Sequence, residues 1–443
     1  MSEPLHNSSP PEAEQAAKRK HDPYKALRYR NFRFLFIGML LASIGDSMLN
    51  VAVGWEIYER TGSELALGFV GLAMIMPVFL FTLPAGQLAD QGRRKAIVLI
   101  ALSVHFIAVG ALGLCSYANT SIVLIYGCLV VMGTAVAFNN PASSALMSQM
   151  VPEEAFESAA TWSSSAWQLA SVLGPGCGGL LIAVAHSALP IYIINTLAVL
   201  INICLISLTR PAPRKVSEKK ERPSLRSLGE GVRFLRQTPV MLAAITLDLF
   251  AVLLGGATTL MPVFAKDILQ VGPSGLGWLQ AAPSVGALCV TFIIAHRPFK
   301  KAGRALLLAV AGFGLVTIVF GLSRSFWLSL LMLFLLGGLD CVSVVIRSTL
   351  LLARTPDEMR GRVSAVNELF ISASNQLGGF ESGAAAQYLG PVPAVVFGGI
   401  GTMIVVGIVS LVWPEIRKLG TLRPNEEALT EASEEERERL MNA

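Results

Sequence analysis

Long apolar runs separated by short polar connections dominate this sequence. No Asp, Glu, Lys or Arg occurs from Ala96 to Pro152 or from Ser158 to Thr209. One helical crossing of a bilayer takes roughly 20 apolar residues, so each stretch is long enough for two crossings. The runs far exceed the roughly 9–11 residues of a barrel strand and show no in-and-out alternation. The pattern therefore predicts an all-α integral membrane protein.

The apolar runs predict twelve transmembrane helices. The predicted spans are 32–57, 65–88, 96–116, 122–147, 160–185, 190–208, 240–264, 275–295, 305–322, 326–350, 363–388 and 392–413. The longest connection divides them six and six. The resulting organisation is an N-terminal tail 1–30, a first half 31–208, a linker 209–239, a second half 240–413 and an acidic tail 414–443.

Basic residues are concentrated in alternate connections. One set of connections contains Lys18, Arg19, Lys20, Lys25, Arg28, Arg30, Arg93, Arg94, Lys95, nine basic residues between Arg210 and Arg236, Arg297, Lys300, Lys301, Arg304, Arg354, Arg360 and Arg362. The opposite set contains only Arg60, Lys266 and Arg324. Short cytoplasmic loops carry the excess of Lys and Arg, so both termini are predicted to be cytoplasmic.

The two halves share an internal repeat. Shifting the chain by 204 positions places Ser143–Leu146 on Arg347–Leu350 and Val151–Glu154 on Thr355–Glu358. Two pseudo-symmetric halves of the same orientation are typical of a transporter whose binding site lies between them.

Composition excludes several other classes of protein. The chain is 53% hydrophobic and 15% charged, against about 25% charged in soluble domains. The net charge of +5 comes from the short loops and does not indicate nucleic-acid binding. There is no phosphate-binding loop, no His/Cys metal motif and no nucleophile–base–acid set at one depth. We therefore expect no enzyme activity, no metal and no cofactor, with the proton gradient as the energy source.

Isolated acids within apolar spans are the main candidates for chemistry, since a charge at mid-bilayer costs about 2.5–3.5 kcal/mol. Asp46 lies near the centre of span 1, with Asn50 one turn further on. Asp248 lies in span 7, in a region otherwise free of charge. Burial favours the neutral form of a carboxylate, as a proton carrier requires. The alternative for each acid is a structural hydrogen bond to a neighbouring helix.

Asp340 and Arg347 lie seven residues apart in span 10, on one face. They are predicted to form a water-linked pair facing the central cavity, which favours a neutral or acidic substrate. The alternative is that Arg347 extends toward the cytoplasmic surface.

Span 11 carries a polar stripe that includes Glu368, Asn375 and Gln376, with Glu381 on another face nearer the outside. The stripe is predicted to border the cavity, and helix–helix hydrogen bonding is the alternative. In span 5, Gln168 and Trp162 are also predicted to border the cavity. The histidines His105 and His186 are interpreted as satisfied packing residues.

Several motifs resemble those of the major facilitator superfamily. They are Gly86-Gln87-Leu88-Ala89-Asp90-Gln91-Gly92-Arg93-Arg94-Lys95, Gly174-Pro175-Gly176-Cys177-Gly178-Gly179, and Gly45-Asp46 with Val51–Trp55. The first is one residue shorter after Asp90 than the family signature. Ser227–Leu235 and Thr355–Val363 are similar to the branch of the enterobactin exporter and macrolide-efflux proteins. A further departure is Ser143, where relatives often carry Arg.

The resemblance implies both a fold and a mechanism. The fold would be that of the superfamily, in a bacterial-type plasma (inner) membrane. Gating residues would be Gly86, Asp90, Arg93, Arg94, Arg360 and Arg362, and the helix-packing motif would be Gly174, Pro175 and Gly178. The implied function is proton-coupled export of a small amphiphilic molecule, such as a siderophore or drug, by a monomer that contacts lipid and no nucleic acid. An importer or lysolipid-type carrier is the alternative, and a membrane-embedded enzyme or receptor is a remote one.

Overall fold

The structure is a computed structural model that describes residues 23–90, 93–211, 225–296, 301–356 and 359–420. Its long helices are α1 Arg30–Thr61, α2 Glu64–Asp90, α3 Arg94–Tyr117, α4 Ile122–Met147, α5 Phe156–Ala185, α6 Leu189–Ser207, α7 Pro239–Leu254, α8 Gly272–His296, α9 Ala302–Leu322, α10 Phe326–Arg354, α11 Arg360–Leu389 and α12 Pro391–Val412. A linker helix, Leu225–Gln237, precedes α7. Short helical segments are Ala26–Arg28, Glu153–Ala155, Met261–Val263, Phe264–Ile268 and Glu415–Lys418. The prediction of an all-helical membrane protein is confirmed.

Length and apolarity qualify ten of the described helices to cross a membrane, namely α1–α6, α8, α9, α10 and α12. Gly229–Gln237 and Pro239–Leu254 form a pair bent by 111°, which raises the number to eleven if the pair is one span. Helix α11 has 30 residues, about 45 Å at 1.5 Å per residue. Its polar stripe, not its length, keeps α11 out of this group.

The seventh predicted span is not one continuous helix, so the prediction of 240–264 was wrong. Helix α7 ends at Leu254, and the chain turns through Gly255 and Gly256 before the π-helix Phe264–Ile268. A side chain at Gly256 would collide with Ser382 of α11, so the backbones approach closely here. Glycine permits that approach but weakens the helix. The apolar pattern alone cannot indicate this break.

Helix packing repeats between the halves. In the first half α1 packs on α5 and α6, α2 on α4, and α3 on α4 and α6. In the second half α7 packs on α11 and α12, α8 on α10, and α9 on α10 and α12. Each pair recurs six helices later. The two halves meet through α2 with α11 and α5 with α8, which are also related by the repeat.

Within the described part of the chain, three clusters of buried apolar side chains hold the bundle together. One contains residues of both halves, including Leu112, Tyr192, Phe264 and Phe320. It lies toward the end where α1 connects to α2, here called the α1–α2 end. The other two lie toward the opposite end, the α2–α3 end, one within the first half and one within the second. The core shared between the halves is therefore the one at the α1–α2 end.

Candidate functional site

Polar side chains join the halves at the α1–α2 end. The Tyr58 hydroxyl of α1 donates to the Asp267 carboxylate, which follows α7. The Lys266 ammonium lies 5.5 Å from the centroid of the Tyr58 ring. Beside them the Ser63 hydroxyl donates to the Gln387 side-chain oxygen at 2.9 Å. A hydrogen bond to a charged acceptor contributes about 1.5–3 kcal/mol, so Tyr58 is a substantial tie between the halves.

Small residues bring the helices of the two halves together at the same end. A side chain added at Gly68 of α2 would lie 3.1 Å from the backbone of Phe380 in α11. The rings of Phe69 and Phe380 have centroids 5.3 Å apart. On the other side, a side chain at Gly179 of α5 would collide with Gly277 of α8. Both interfaces between the halves are thus closed by backbone-to-backbone approach at this end.

A central cavity of about 520 Å³ lies between the halves, beneath this closed end. Its wall is formed by α1, α2 and α5 of the first half and by α8, α11 and the chain that follows α7 in the second. Cavities of about 300–1,000 Å³ accommodate drug-sized ligands. Of the residues predicted to line it, Asn50 and Gln376 do so; Pro175, predicted as part of the helix-packing motif, lines it as well.

The described wall of this cavity carries no Asp, Glu, Lys, Arg or His. Its polar groups are carboxamides and hydroxyls, among them Asn50, Gln280, Ser171, Thr259 and Ser284. Trp167 and Met74 add aromatic and thioether surface. Such a wall offers hydrogen-bond donors and acceptors without charge. It suits an uncharged ligand that has both polar and apolar faces.

Sequence reasoning missed two parts of this wall. Gln280 and Ser284 lie four residues apart on α8, a spacing that places two polar groups on one face, and that signal was available in the sequence. Trp167 lies among several aromatic and hydroxyl residues of α5. Only the packing of α5 against α1 and α8 selects Trp167 rather than Trp162.

Asp46 has its partners within the first half. Its Oδ1 atom lies 3.2 Å from Nε2 of His105 on α3 and accepts a hydrogen bond of 3.1 Å from the Asn195 amide of α6. The Asp46 side chain is 45% exposed, whereas His105 is buried. Asp46 lies one turn before Asn50 on α1, toward the α2–α3 end. His105 therefore does more than fill space, because it contacts the candidate acid directly.

The predicted pairing of Asp340 with Arg347 was wrong. Arg347 instead forms an ion pair with Asp248 of α7, and both side chains are buried. Burial also rules out the extended, snorkelling conformation of Arg347. Asp340 lines a cavity of about 10 Å³ beside Asp248 and Ser343, enough for about one water molecule. Spacing along α10 suggested Asp340 as the partner of Arg347, whereas the observed partner, Asp248, lies on α7.

The remaining cavity candidates fall in different places. Glu368 and Asn375 of α11 are exposed, and the Asn375 amide donates to the Ile371 carbonyl of its own helix. Glu381 is exposed and accepts a hydrogen bond from Ser382. Gln168 of α5 is half-buried. None of these four side chains belongs to the described wall of the central cavity.

Trp162 belongs to another site, so its assignment to the cavity was wrong. Its indole N–H donates to the Pro23 carbonyl at 2.9 Å. Its ring packs against those of Tyr24 and Phe36. Because α5 begins at Phe156, Trp162 lies near the α2–α3 end. There it anchors the segment that leads into α1.

The proposed gating residues are only partly described. Gly86 lies within α2 and Arg93 is exposed before α3, but the side chain of Asp90 lies outside the described residues. Arg94 donates to the Ala145 carbonyl near the end of α4 at 3.2 Å.

At the start of α11, Arg362 forms an ion pair of 2.6 Å with Glu230 of the linker helix. Arg360 is exposed and donates to the Leu352 carbonyl of α10 at 3.5 Å. These contacts tie α11 to the linker helix and α10. The predicted contact of Asp90 with this region stays a prediction.

The glycine-rich element of α5 packs against both neighbouring helices. Side chains at Gly174 or Gly178 would press on α1, on Ser47 and Met48 respectively. Pro175 lies between them and lines the cavity. Gly179 faces α8 instead. The element therefore lets α5 approach one helix of each half.

Comparisons with known proteins agree with this architecture. The sequence model of the family described as "Transmembrane secretion effector" matches residues 21–436. The enterobactin exporter EntS of Escherichia coli O1:K1 / APEC is 27% identical over 399 residues, which cover 89% of this chain and 94% of that protein. The enterobactin exporter EntS of Shigella boydii serotype 18 matches with the same identity and coverage.

Solved structures share the fold at low sequence identity. A bacterial homologue of the human lysosomal transporter Spinster, in an inward-facing and unoccupied conformation, has a TM-score of 0.69 at 16% identity, covering 89% of this chain and 99% of that one. The nucleoside transporter NupG has a TM-score of 0.67 at 12% identity, covering 86% and 99%. The family and fold are those of transporters, not enzymes. The chain belongs to the transmembrane secretion effector family of the major facilitator superfamily.

Proposed function

We propose that this transporter is a proton-coupled exporter of a small, uncharged, amphiphilic organic molecule, of the siderophore or drug class. The observation that carries the proposal is the central cavity between the two halves, whose described wall is uncharged and whose α1–α2 end is closed. Substrate enters from the α2–α3 end and leaves when the contacts at the α1–α2 end open. The two halves act as the rigid bodies of an alternating-access cycle.

Membrane orientation sets the direction of this cycle. Basic connections at the α2–α3 end favour a cytoplasmic position for that end. We infer twelve spans, which are the ten helices that qualify by length and apolarity together with α7 and α11. The two halves are 31–208 and 240–413, and both termini are inferred to be cytoplasmic. The inferred location is the plasma (inner) membrane of a bacterial-type cell, where the protein acts as a monomer. Cysteine labelling from either side of intact cells tests the topology.

Proton coupling is proposed to act outside the cavity. Asp46 in the first half and Asp340 in the second are the exchange sites, and protons entering from outside drive substrate out. Asp340 is suited to proton exchange because it forms no ion pair or hydrogen bond with the described side chains. The Asp248–Arg347 pair is fixed by contrast. A ligand can shift the cycle only by binding one state better than the other, so protonation must change how the halves pack.

The absence of charge from the described cavity wall supports the proposed substrate class. A charged ligand that leaves water needs a compensating charge or it loses several kcal/mol of solvation. The described wall offers carboxamides and hydroxyls instead. The resemblance to enterobactin exporters supports a secreted organic molecule.

A congeneric series of fluorescent glycosides tests the substrate class. Purified protein in proteoliposomes with an imposed pH gradient is given 4-methylumbelliferyl glucoside, the corresponding anionic glucuronide and the cationic glucosaminide. We expect the neutral glucoside to be transported at least about tenfold faster than either charged congener. Equal transport of all three, or faster transport of a charged one, contradicts the proposal.

A matched pair of variants assigns this preference to the cavity. Gln280→Glu places an anion in the wall, whereas Gln168→Glu places one on α5 outside it. The first is expected to reduce transport of the glucoside several-fold, and the second to leave it within about twofold. If both variants behave alike, the selectivity arises elsewhere.

The rival function is import, or transport of a lysolipid-type molecule. Reversing the pH gradient across the same proteoliposomes distinguishes import from export, because an antiporter moves its substrate in the direction opposite to the proton flux. A lysolipid would instead compete with the glucoside without any pH gradient. Loss of gradient dependence together with lysolipid competition would favour the rival.

A further inference from the structure

We propose that Asp46, His105 and Asn195 form a proton-binding site, in which His105 and Asp46 share one proton. The proton site deepens the proposed function: its role in coupling rests on the proposal that the protein is a proton-coupled exporter. The geometry is direct: one carboxylate oxygen of Asp46 lies 3.2 Å from His105 Nε2 and 3.1 Å from the Asn195 amide nitrogen. The three residues come from α1, α3 and α6 of the first half.

The charge environment isolates this site. His105 lies in the stretch from Ala96 to Pro152, which contains no Asp, Glu, Lys or Arg, and the neighbouring α6 and α4 carry none either. On α2, the acids Glu64 and Asp90 stand at the two ends of the helix. On α1 the next acid is Glu56, ten residues further on, which is bound by Arg60 and Tyr192. Asp46 is thus the one carboxylate that faces His105 among the described side chains.

A shared proton follows from electrostatics. An ionised Asp46 beside a neutral His105 gives the site a charge of −1, whereas one added proton makes the site neutral. The neutral form is cheaper in a low-dielectric interior. The proton comes from water and adds to the pair without any other bond being formed or broken. The site therefore gains or loses one proton according to how well water reaches it.

Water reaches the site through Asp46. That side chain is 45% exposed while His105 is buried behind it. Asn195 donates to the same oxygen and holds the carboxylate toward His105. Movement of the first half against the second would change the hydration of Asp46, whereas its contacts with His105 and Asn195 lie within the first half and move with it. Asn195 is in this respect a positioning residue.

Solid-state NMR of nitrogen-15 histidine-labelled protein in lipid bilayers tests the proton site. We expect an imidazolium signal near neutral pH that is lost in His105→Gln and also lost in Asp46→Asn. The second variant keeps the histidine, so the test survives if His105→Gln fails to fold. His296→Gln is the control, since His296 is exposed and its ring hydrogen-bonds the Phe292 carbonyl of its own helix.

A neutral His105 throughout about pH 5–8, or histidine signals in Asp46→Asn identical to wild type, would overturn the proton site. Transport is measured separately, as pH-gradient-driven flux of the neutral glucoside. His105→Gln is expected to reduce that flux at least about tenfold, with His296→Gln unchanged. If the NMR signals behave as expected while the flux of His105→Gln is normal, the proton site stands and the proposed coupling through it fails.

Discussion

Asp46 and Asp248 are both single acids in apolar helices, one in each half, yet they differ in burial and in the residues that contact them. Asp248 is buried and paired with the buried guanidinium of Arg347. Asp46 is half exposed and meets a histidine and an amide. The first pair is neutral when Asp248 is ionised, whereas the second is neutral only after one proton is added. The comparison teaches that isolation in the sequence does not set an acid's surroundings: Asp248 has a cationic partner, whereas Asp46 has the histidine and amide on which the proposed proton site rests.

The largest expected effect is on the fixed pair. Asp248→Asn removes the buried carboxylate that is paired with Arg347 and leaves the exposed Glu368 as the acid that acts on this guanidinium. Breaking a buried pair costs about 3–5 kcal/mol. We expect a large fall in thermal stability of the purified protein, measured by differential scanning fluorimetry. Adding Arg347→Gln should restore most of the stability. A stable Asp248→Asn variant would show that the two acids are less different than their partners imply.

The second prediction concerns the Tyr58–Asp267 contact between the halves. Unlike the Asp248–Arg347 pair, which lies within one half, this contact should affect the equilibrium between open and closed conformations. Tyr58→Phe removes the hydroxyl that donates to Asp267, a loss of about 1.5–3 kcal/mol. The open form of the α1–α2 end should gain roughly tenfold or more in population. A cysteine in place of Ala265, which is fully buried at this end, reports the opening by its accessibility.

Tyr126→Phe is the matched control for that experiment. The Tyr126 hydroxyl donates to the Ala66 carbonyl at 2.8 Å, within the first half. Its loss should leave accessibility at position 265 unchanged. Equal labelling of both variants would mean that the Tyr58 contact does not hold the end closed.

The third expectation concerns Asp46. Asp46→Asn retains a carbonyl oxygen that accepts from Asn195, so we expect a change of about 1 kcal/mol or less in unfolding free energy. Flux driven by a pH gradient should nevertheless fall. Stability is read from the same fluorimetry as for Asp248→Asn, and the ratio of the two shifts measures the difference between the halves. A loss of stability as large as that of Asp248→Asn would remove the distinction.

The smallest effect is expected at the surface. Lys25 and Glu154 form an ion pair of 2.8 Å, with the Glu154 side chain 64% exposed. Exposed pairs contribute about 0.2–1 kcal/mol, so Lys25→Gln should barely change the melting temperature. Added salt should not alter that result. A shift comparable to that of Asp248→Asn would mean that burial is not what distinguishes the charged pairs of this protein.

The candidate site was predictable in part. Asn50 and Gln376 line the cavity as expected, since each is a polar residue in an apolar span. Pro175 also lines it, although it was expected only as part of a helix-packing motif. Trp162 was assigned to the cavity in place of Trp167, five residues further along the same helix. A difference of five residues rotates a side chain to another face of an α-helix. The sequence does not specify which face meets the other half.

The sequence by itself determined the helical membrane fold, because runs of apolar residues without charge permit no other structure in a bilayer. It also determined the repeat, through matched motifs such as those at Ser143–Leu146 and Arg347–Leu350. Only the tertiary structure decided which partner each buried charge has. Arg347 meets Asp248 across two helices, although Asp340 is nearer along the chain, and His105 meets Asp46 from a separate helix. Electrostatic energy depends on distance in space, and the packing of α1, α3, α7 and α10 sets those distances.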